Sequence, residues 1–180
     1  MSGARRHKIK VVVVSGYGMP VPHTYVNCAL IDTAVNEVWK RYQAKTPLGE
    51  GQEPTWKKSL VFGGMPKELA FALRFDIFDA EKKELIGRVQ ISKESTLEAI
   101  AGYKEVNGTP NESWSSWYAM EAVNESGAKR GPAKGGGLHI ALVPPSVKTA
   151  DANLSPPVPA PAAKAQSSNS PSSSSSSSKP

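Results

Sequence analysis

The chain has one cysteine, Cys28, in 180 residues. No internal disulfide can form, and the thiolate clusters that hold structural zinc are excluded. Long hydrophobic runs are also missing. Near the N-terminus the apolar stretch is only Ile9 and Val11 to Val14, too short for a signal core or a membrane span. Ser2 follows the initiator methionine where a myristoyl anchor needs glycine, so that anchor is not expected. From Pro144 onward large apolar residues almost vanish into Pro, Ala and Ser, ending in "SSSSSSSKP". Such a stretch cannot bury enough surface to offset its ordering entropy. The expected organisation is a basic arm over 1–7, one folded domain over 8–143 and a disordered tail over 144–180, in a cytoplasmic protein.

The stretch "VVVVSGYGMP" places two glycines, Gly16 and Gly18, directly after an apolar run, as a dinucleotide-binding turn does. The third glycine of that pattern is absent, because Val21 stands there, and Pro20 and Pro22 fall where the helix would begin. Proline forces its predecessor towards extended conformations. The segment reads instead as a core strand leading into a tight loop.

Helical periodicity is nearly absent, whereas alternating or apolar runs of strand length recur between turn signals. Strands are expected at 8–15, 24–32, 36–45, 55–62, 69–78, 85–92, 113–120 and 137–143, and so many strands imply an all-β fold, either an eight-stranded antiparallel sandwich or a barrel. In "LAFALRFDIFD", Leu69, Phe71, Leu73, Phe75 and Ile77 share one face and Arg74, Asp76 and Phe78 the other. Gly63 and Gly64 with Pro66 mark a turn, and the triple glycine 135–137 opens the last strand. One helix is expected in "SKESTLEAIAGYKE", capped by Ser95 with Glu98 three residues on and stopped by Gly102.

Taken in order, these segments resemble the C2 domain family. In "EPTWKKSLVF", Pro54, Trp56, Leu60 and Phe62 fall at the Pro, Trp, Phe and Phe of the family's Asn-Pro-x-Trp-Asn-Glu-x-Phe-x-Phe. "YVNCAL", "LRFDIFDAE" with "LIGRVQIS", "SWYAM" and "GGGLHIALV" are similar to further strands of that family. The order resembles its second topology, which implies that both ends of the domain lie at one end of the sandwich. The resemblance implies a lipid-binding or protein-binding module.

Calcium-binding relatives hold the ion with aspartates from their first and third loops, as the preference of calcium for six to eight hard oxygens requires. Here "SGYGMPVPHT" has no carboxylate, and His23-Thr24 stands where Asp-Pro would precede Tyr25. The third loop keeps Asp79, replaces the second Asp with Glu81 and leaves Glu84 as a vestigial third, with Lys82 and Lys83 adding positive charge. No calcium binding and no other metal or cofactor is therefore expected. Met19 and Val21 in the first loop either enter a bilayer or pack the loop against its neighbours.

The formal net charge is +6, a balance that suits anionic lipid or nucleic acid, or simply a solvated strand face. In the family, a basic face on strands three and four meets phosphoinositides. By that resemblance Lys40, Arg41 and Lys45 on the third strand, with Lys57 and Lys58 on the fourth, are the lipid-binding residues. Lys58 has core parity with Trp56 and Leu60, which suits a lysine only where the strand end splays, so Lys57 is the better lipid contact. Catalysis has little support: His7, His23 and His139 are scattered, Cys28 sits in an apolar strand, and Asp76 and Asp79 point to opposite faces. Trp114, Trp117 and Tyr118 read as strand packing, with no nucleic-acid motif beside them. The tail segment "SPPVPAP" suits a polyproline-reading partner or serves only as a solubilising extension. The reading is a calcium-independent module, not an enzyme, docking on anionic phospholipid at the membrane periphery; its alternative is a protein-interaction scaffold without lipid binding.

Overall fold

The computed structural model describes residues 6–66, 68–102, 105–106, 109–110, 115–123 and 129–144. In chain order the elements are β1 (Arg6–Tyr17), β2 (His23–Asp32), β3 (Glu37–Lys45), β4 (Gly49–Glu50), β5 (Thr55–Pro66), β6 (Phe71–Asp79), β7 (Leu85–Ser92), α1 (Lys93–Ala101), β8 (Glu105–Val106), β9 (Thr109–Pro110), β10 (Ser115–Val123) and β11 (Lys129–Val143). The main strands run in the spatial order β3-β2-β6-β7-β10-β11-β1-β5, with β4 paired to β2, and all pairings are antiparallel. Between β7 and β10 the ladder has one register pair, Glu121 opposite Arg88. The path therefore curls there into two layers, β3-β2-β6-β7 and β10-β11-β1-β5. These are the eight strands of the expected sandwich; β4, β8 and β9 are short additions.

Side-chain alternation fills the space between the layers. Ile9, Val11 and Val13 of β1, Val26, Cys28 and Leu30 of β2, Phe71, Leu73, Phe75 and Ile77 of β6, and Leu138, Ile140 and Leu142 of β11 form one buried core. A smaller group on the far side of the second layer, Val12, Val14 and Ala141, is buried as well. Lys10 of β1 stands opposite Val143 of β11, so the two ends of the domain meet at one end of the sandwich.

Three local expectations are corrected. Gly63 and Gly64 do not turn the chain but continue β5, where Gly63 faces Lys8 and Met65 faces His7, leaving Gly64 as the extra residue of a bulge. The last strand begins at Lys129 and passes through the triple glycine; at Gly137 a Cβ would lie 2.5 Å from the Tyr118 carbonyl oxygen, so glycine there permits close strand approach. The helix is capped by Ser92, one turn before the expected Ser95. The Ser92 hydroxyl accepts from the Ser95 N–H at 3.2 Å, the Thr96 hydroxyl donates to the Ser92 carbonyl at 2.7 Å, and Gly102 closes the helix. Ser92 wins because β7 ends on it, leaving no linker in which a later cap could sit.

Candidate functional site

Three connections meet at one end of the sandwich: 18–22, 46–54 and 80–84. Backbone hydrogen bonds lace them together, from Met19 N–H to the Gln52 carbonyl (3.0 Å), Gly51 N–H to the Pro22 carbonyl (2.7 Å) and Ala80 N–H to the His23 carbonyl (2.9 Å). Trp56 is the wedge beneath them, buried against Gly16 and Gly49. Met19 is 1% exposed and belongs to the core, and Val21 is half-buried. For Met19 the packing alternative holds in place of an outward-facing membrane contact, because the short loop folds its methionine back onto Trp56 and Gly16.

The acidic remnant of the third loop is occupied by protein groups. The Asp79 carboxylate Oδ1 accepts the N–H groups of Glu81 (2.8 Å) and Lys82 (3.1 Å), so it caps its own turn. Asp79 N–H donates to the Glu84 carbonyl at 2.9 Å, and the Glu84 side chain is exposed. Glu81 Oε1 lies 2.7 Å from His23 Nδ1 across the loops. His23 thus joins the first and third loops through a direct side-chain contact. Among the described residues no three His, Cys, Asp or Glu side chains gather as a metal requires.

The basic residues divide between two places. In β3, Val38 faces Ile31 and Gln43 faces Ala29, so Trp39 to Tyr42 stand opposite Leu30 alone. Positions 40 and 41 therefore lie in a bulge of the backbone, where strict alternation no longer holds; the Lys40 side chain is exposed. In β5, Thr55 faces Ser15 and Lys58 faces Val13, so Trp56 and Lys57 share one partner position at Val14. Lys57 takes the left-handed conformation this bulge needs, φ 46°, and is half-buried. Lys58 has the inward register of Val13 yet is exposed, so the sheet edge is open at this level. Strands β3 and β5 are the free ends of the two layers, and their edges meet through Tyr42 and Phe62, whose ring centroids are 6.5 Å apart. Lys45 lies apart from these four, with its Nζ 3.6 Å from the ring centroid of Tyr25 on the outer face of the first layer. Among the described residues none of Lys40, Lys45, Lys57 and Lys58 forms an ion pair.

Reactive groups elsewhere are held in structural settings. Cys28 is fully buried, and burial, reinforced by the nearby Asp76 charge, raises its thiol pKa well above the ordinary value. Asp76 receives Arg88 Nε at 2.6 Å and has Arg74 Nε at 3.1 Å. His139 is buried, stacked on Trp117 with centroids 4.5 Å apart, and its Nε2 is 2.6 Å from the Ser115 hydroxyl. A cleft of about 600 Å³ between β6, β7, α1 and β10 mixes Glu68, Glu94 and Glu121 with Lys93, whose ammonium donates to the Leu69 carbonyl at 2.8 Å. His7 and Arg41 have side chains, and Trp114 and the tail beyond Pro144 have positions, outside the described residues. Among the described residues no helix is long and apolar enough to cross a membrane.

No family model and no curated protein matches the chain. Solved structures match its architecture. A multidomain structure of Extended-Synaptotagmin 2, comprising its SMP domain and two C2 domains, aligns with 79% of this chain at a TM-score of 0.50 and 10% identity, over 28% of its own length. PLC21 of S. officinalis aligns with 79% of this chain at a TM-score of 0.50 and 17% identity, over 16% of its own length. A C2 domain-containing protein aligns with 83% of this chain and 98% of its own, at a TM-score of 0.49 and 18% identity. The chain spans only a minor part of the first two proteins and nearly all of the third. The first two likenesses, at a TM-score of 0.50, give the described residues the fold of a C2 domain.

Proposed function

We propose that the protein is a calcium-independent docking module for anionic phospholipid and acts by binding, not catalysis. The observation that carries this reading is the edge formed by the end strands of the two layers, where Lys40 and Lys58 are exposed beside bulges of β3 and β5 that also carry positions Arg41 and Lys57. Each cation near an anionic surface contributes ~1 kcal/mol. Four give reversible attachment that strengthens with a second, apolar contact. Calcium independence is supported by His23 and Glu81, which pair with each other across the loops, and by Asp79, which caps its own turn. The third loop then holds its shape with protein contacts in place of an ion.

The second reading, a protein-interaction scaffold, draws on the free edge of β5, where Val61 is 54% exposed, and on the proline-rich tail. Salt separates the two. Co-sedimentation with phosphoinositide-containing vesicles should weaken steeply as ionic strength rises, since contacts beyond a Debye length of about 8 Å are screened at physiological salt. The Lys40→Ala, Arg41→Ala, Lys57→Ala, Lys58→Ala variant should lose most of that binding. Retention of binding by the folded variant, or binding indifferent to salt, would contradict the docking reading.

A further inference from the structure

An antiparallel layer with one face on the core leaves its other face to solvent, yet on the outer face of the second layer Val12, Val14 and Ala141 are 1%, 3% and 0% exposed. The helix does not account for this, because Ala99 and Ile100 pack it against the core. Three register partners cross the same face: Ser15 on β1 stands opposite His139 on β11, and His139 opposite Trp117 on β10. Each has a buried polar atom without a hydrogen-bond partner, namely the Ser15 hydroxyl, His139 Nδ1 and the Trp117 indole N–H. Ser15 and His139 are 3% and 5% exposed. In the tautomer whose Nε2 accepts from the Ser115 hydroxyl, the His139 ring carries its proton on Nδ1, so all three atoms are donors.

Buried donors call for acceptors. Beside them Tyr17 and Trp117 meet edge to face, 5.0 Å between ring centroids, and the Tyr17 ring lies over Gly137, where a Cβ would come within 2.6 Å of it. Aromatic walls with a row of donors suit an occupant rich in free carbonyls and poor in N–H groups. Proline-rich chain has that character, because the polyproline helix makes no internal hydrogen bonds and each proline lacks an N–H. Aromatic-lined grooves read it. Such a segment is joined to this face: Val143 is fully buried on it at the end of β11, opposite Lys10, and "SPPVPAP" follows at 155–161. The Trp117 rung lies about 13 Å back along β11 from Val143. The intervening stretch 144–154 reaches about 36 Å when extended, ample for the return.

We infer that the outer face of β1, β11 and β10 binds the chain's own proline-rich segment 155–161, with the Trp117 indole N–H donating to one of its carbonyls. Covalent attachment makes the contact intramolecular, so a weak intrinsic affinity is enough to hold it. A proline-reading partner then has to displace the segment from the sandwich before binding it. The inference does not rest on lipid docking at the β3/β5 edge.

The test uses the full chain, nitrogen-15 labelled, with a nitroxide spin label on Ala163→Cys; Cys28 is fully buried and leaves the new thiol as the reactive one. The Trp117 indole N–H signal, assigned by its disappearance in Trp117→Phe, should broaden together with the Val12 and Val14 amides. Replacing Pro156, Pro157, Pro159 and Pro161 by Ala in the labelled chain should restore those signals, while unchanged dispersion of the other amides confirms an intact sandwich. Spin-labelled chain without nitrogen-15, mixed with unlabelled nitrogen-15 chain, should leave the signals sharp. Broadening in that mixture would mean that a second copy supplies the segment and would overturn the inference. Full signal intensity in the singly labelled chain, or broadening that survives the proline substitutions, would overturn it as well.

Discussion

His139 shows how the fold disposes of a group that looks chemical in the sequence. It lies flat against Trp117, its Nε2 meets the Ser115 hydroxyl, and its Nδ1 is buried without a hydrogen-bond partner. Burial lowers its pKa below the ordinary 6.5. The unfolded chain therefore takes up this proton first as pH falls. The contribution to stability is fully present above about pH 6.5 and is lost on acidification towards the folded-state pKa. Urea unfolding at a series of pH values should show the wild type losing stability below about pH 6.5, with His139→Gln giving a flatter curve. Parallel curves would show that another group carries the acid dependence. The burial of Cys28 is legible from its apolar strand. The His23 pairing with Glu81 is not, because the partners are 58 residues apart and only the closed sandwich brings them together.

At the scale of elements, alternation makes the core faces of β1 and β6 readable, since each strand keeps one register along the stretch that matters. It fails where a bulge inserts residues. Lys58 has core parity and does oppose Val13, yet it is exposed because β5 ends the layer there. A regular third strand would send Lys40 and Arg41 to opposite faces, whereas β3 leaves the ladder between Val38 and Gln43. No local residue type announces that bulge; it arises where Trp39 and Tyr42 stack, 5.7 Å between centroids, and turn towards the core. The helix start shows the same limit, since two serines three apart, Ser92 and Ser95, both offer caps. Ser92→Ala should cost about 1 kcal/mol, read by thermal or urea unfolding, whereas Ser95→Ala, which keeps the backbone N–H that the Ser92 hydroxyl binds, should cost less. The reverse order would return the cap to Ser95.

For the whole molecule, turn signals and apolar runs mark where each strand lies, whereas the strand order and the meeting of the two ends are legible only through the resemblance to the second topology of C2 domains. The division of the basic residues is not: Lys45 sits over Tyr25 on an outer face, while Lys40 and Lys58 belong to the edge between the layers. On the proposed reading the cationic edge attaches to the membrane while protein contacts close the loop end, so attachment needs no calcium. The decisive measurement is vesicle flotation of the wild type on phosphoinositide-containing membranes, in chelator and again in millimolar calcium. Equal binding is expected in the two conditions; binding that appears only with calcium, or none on any anionic membrane, would overturn the docking reading.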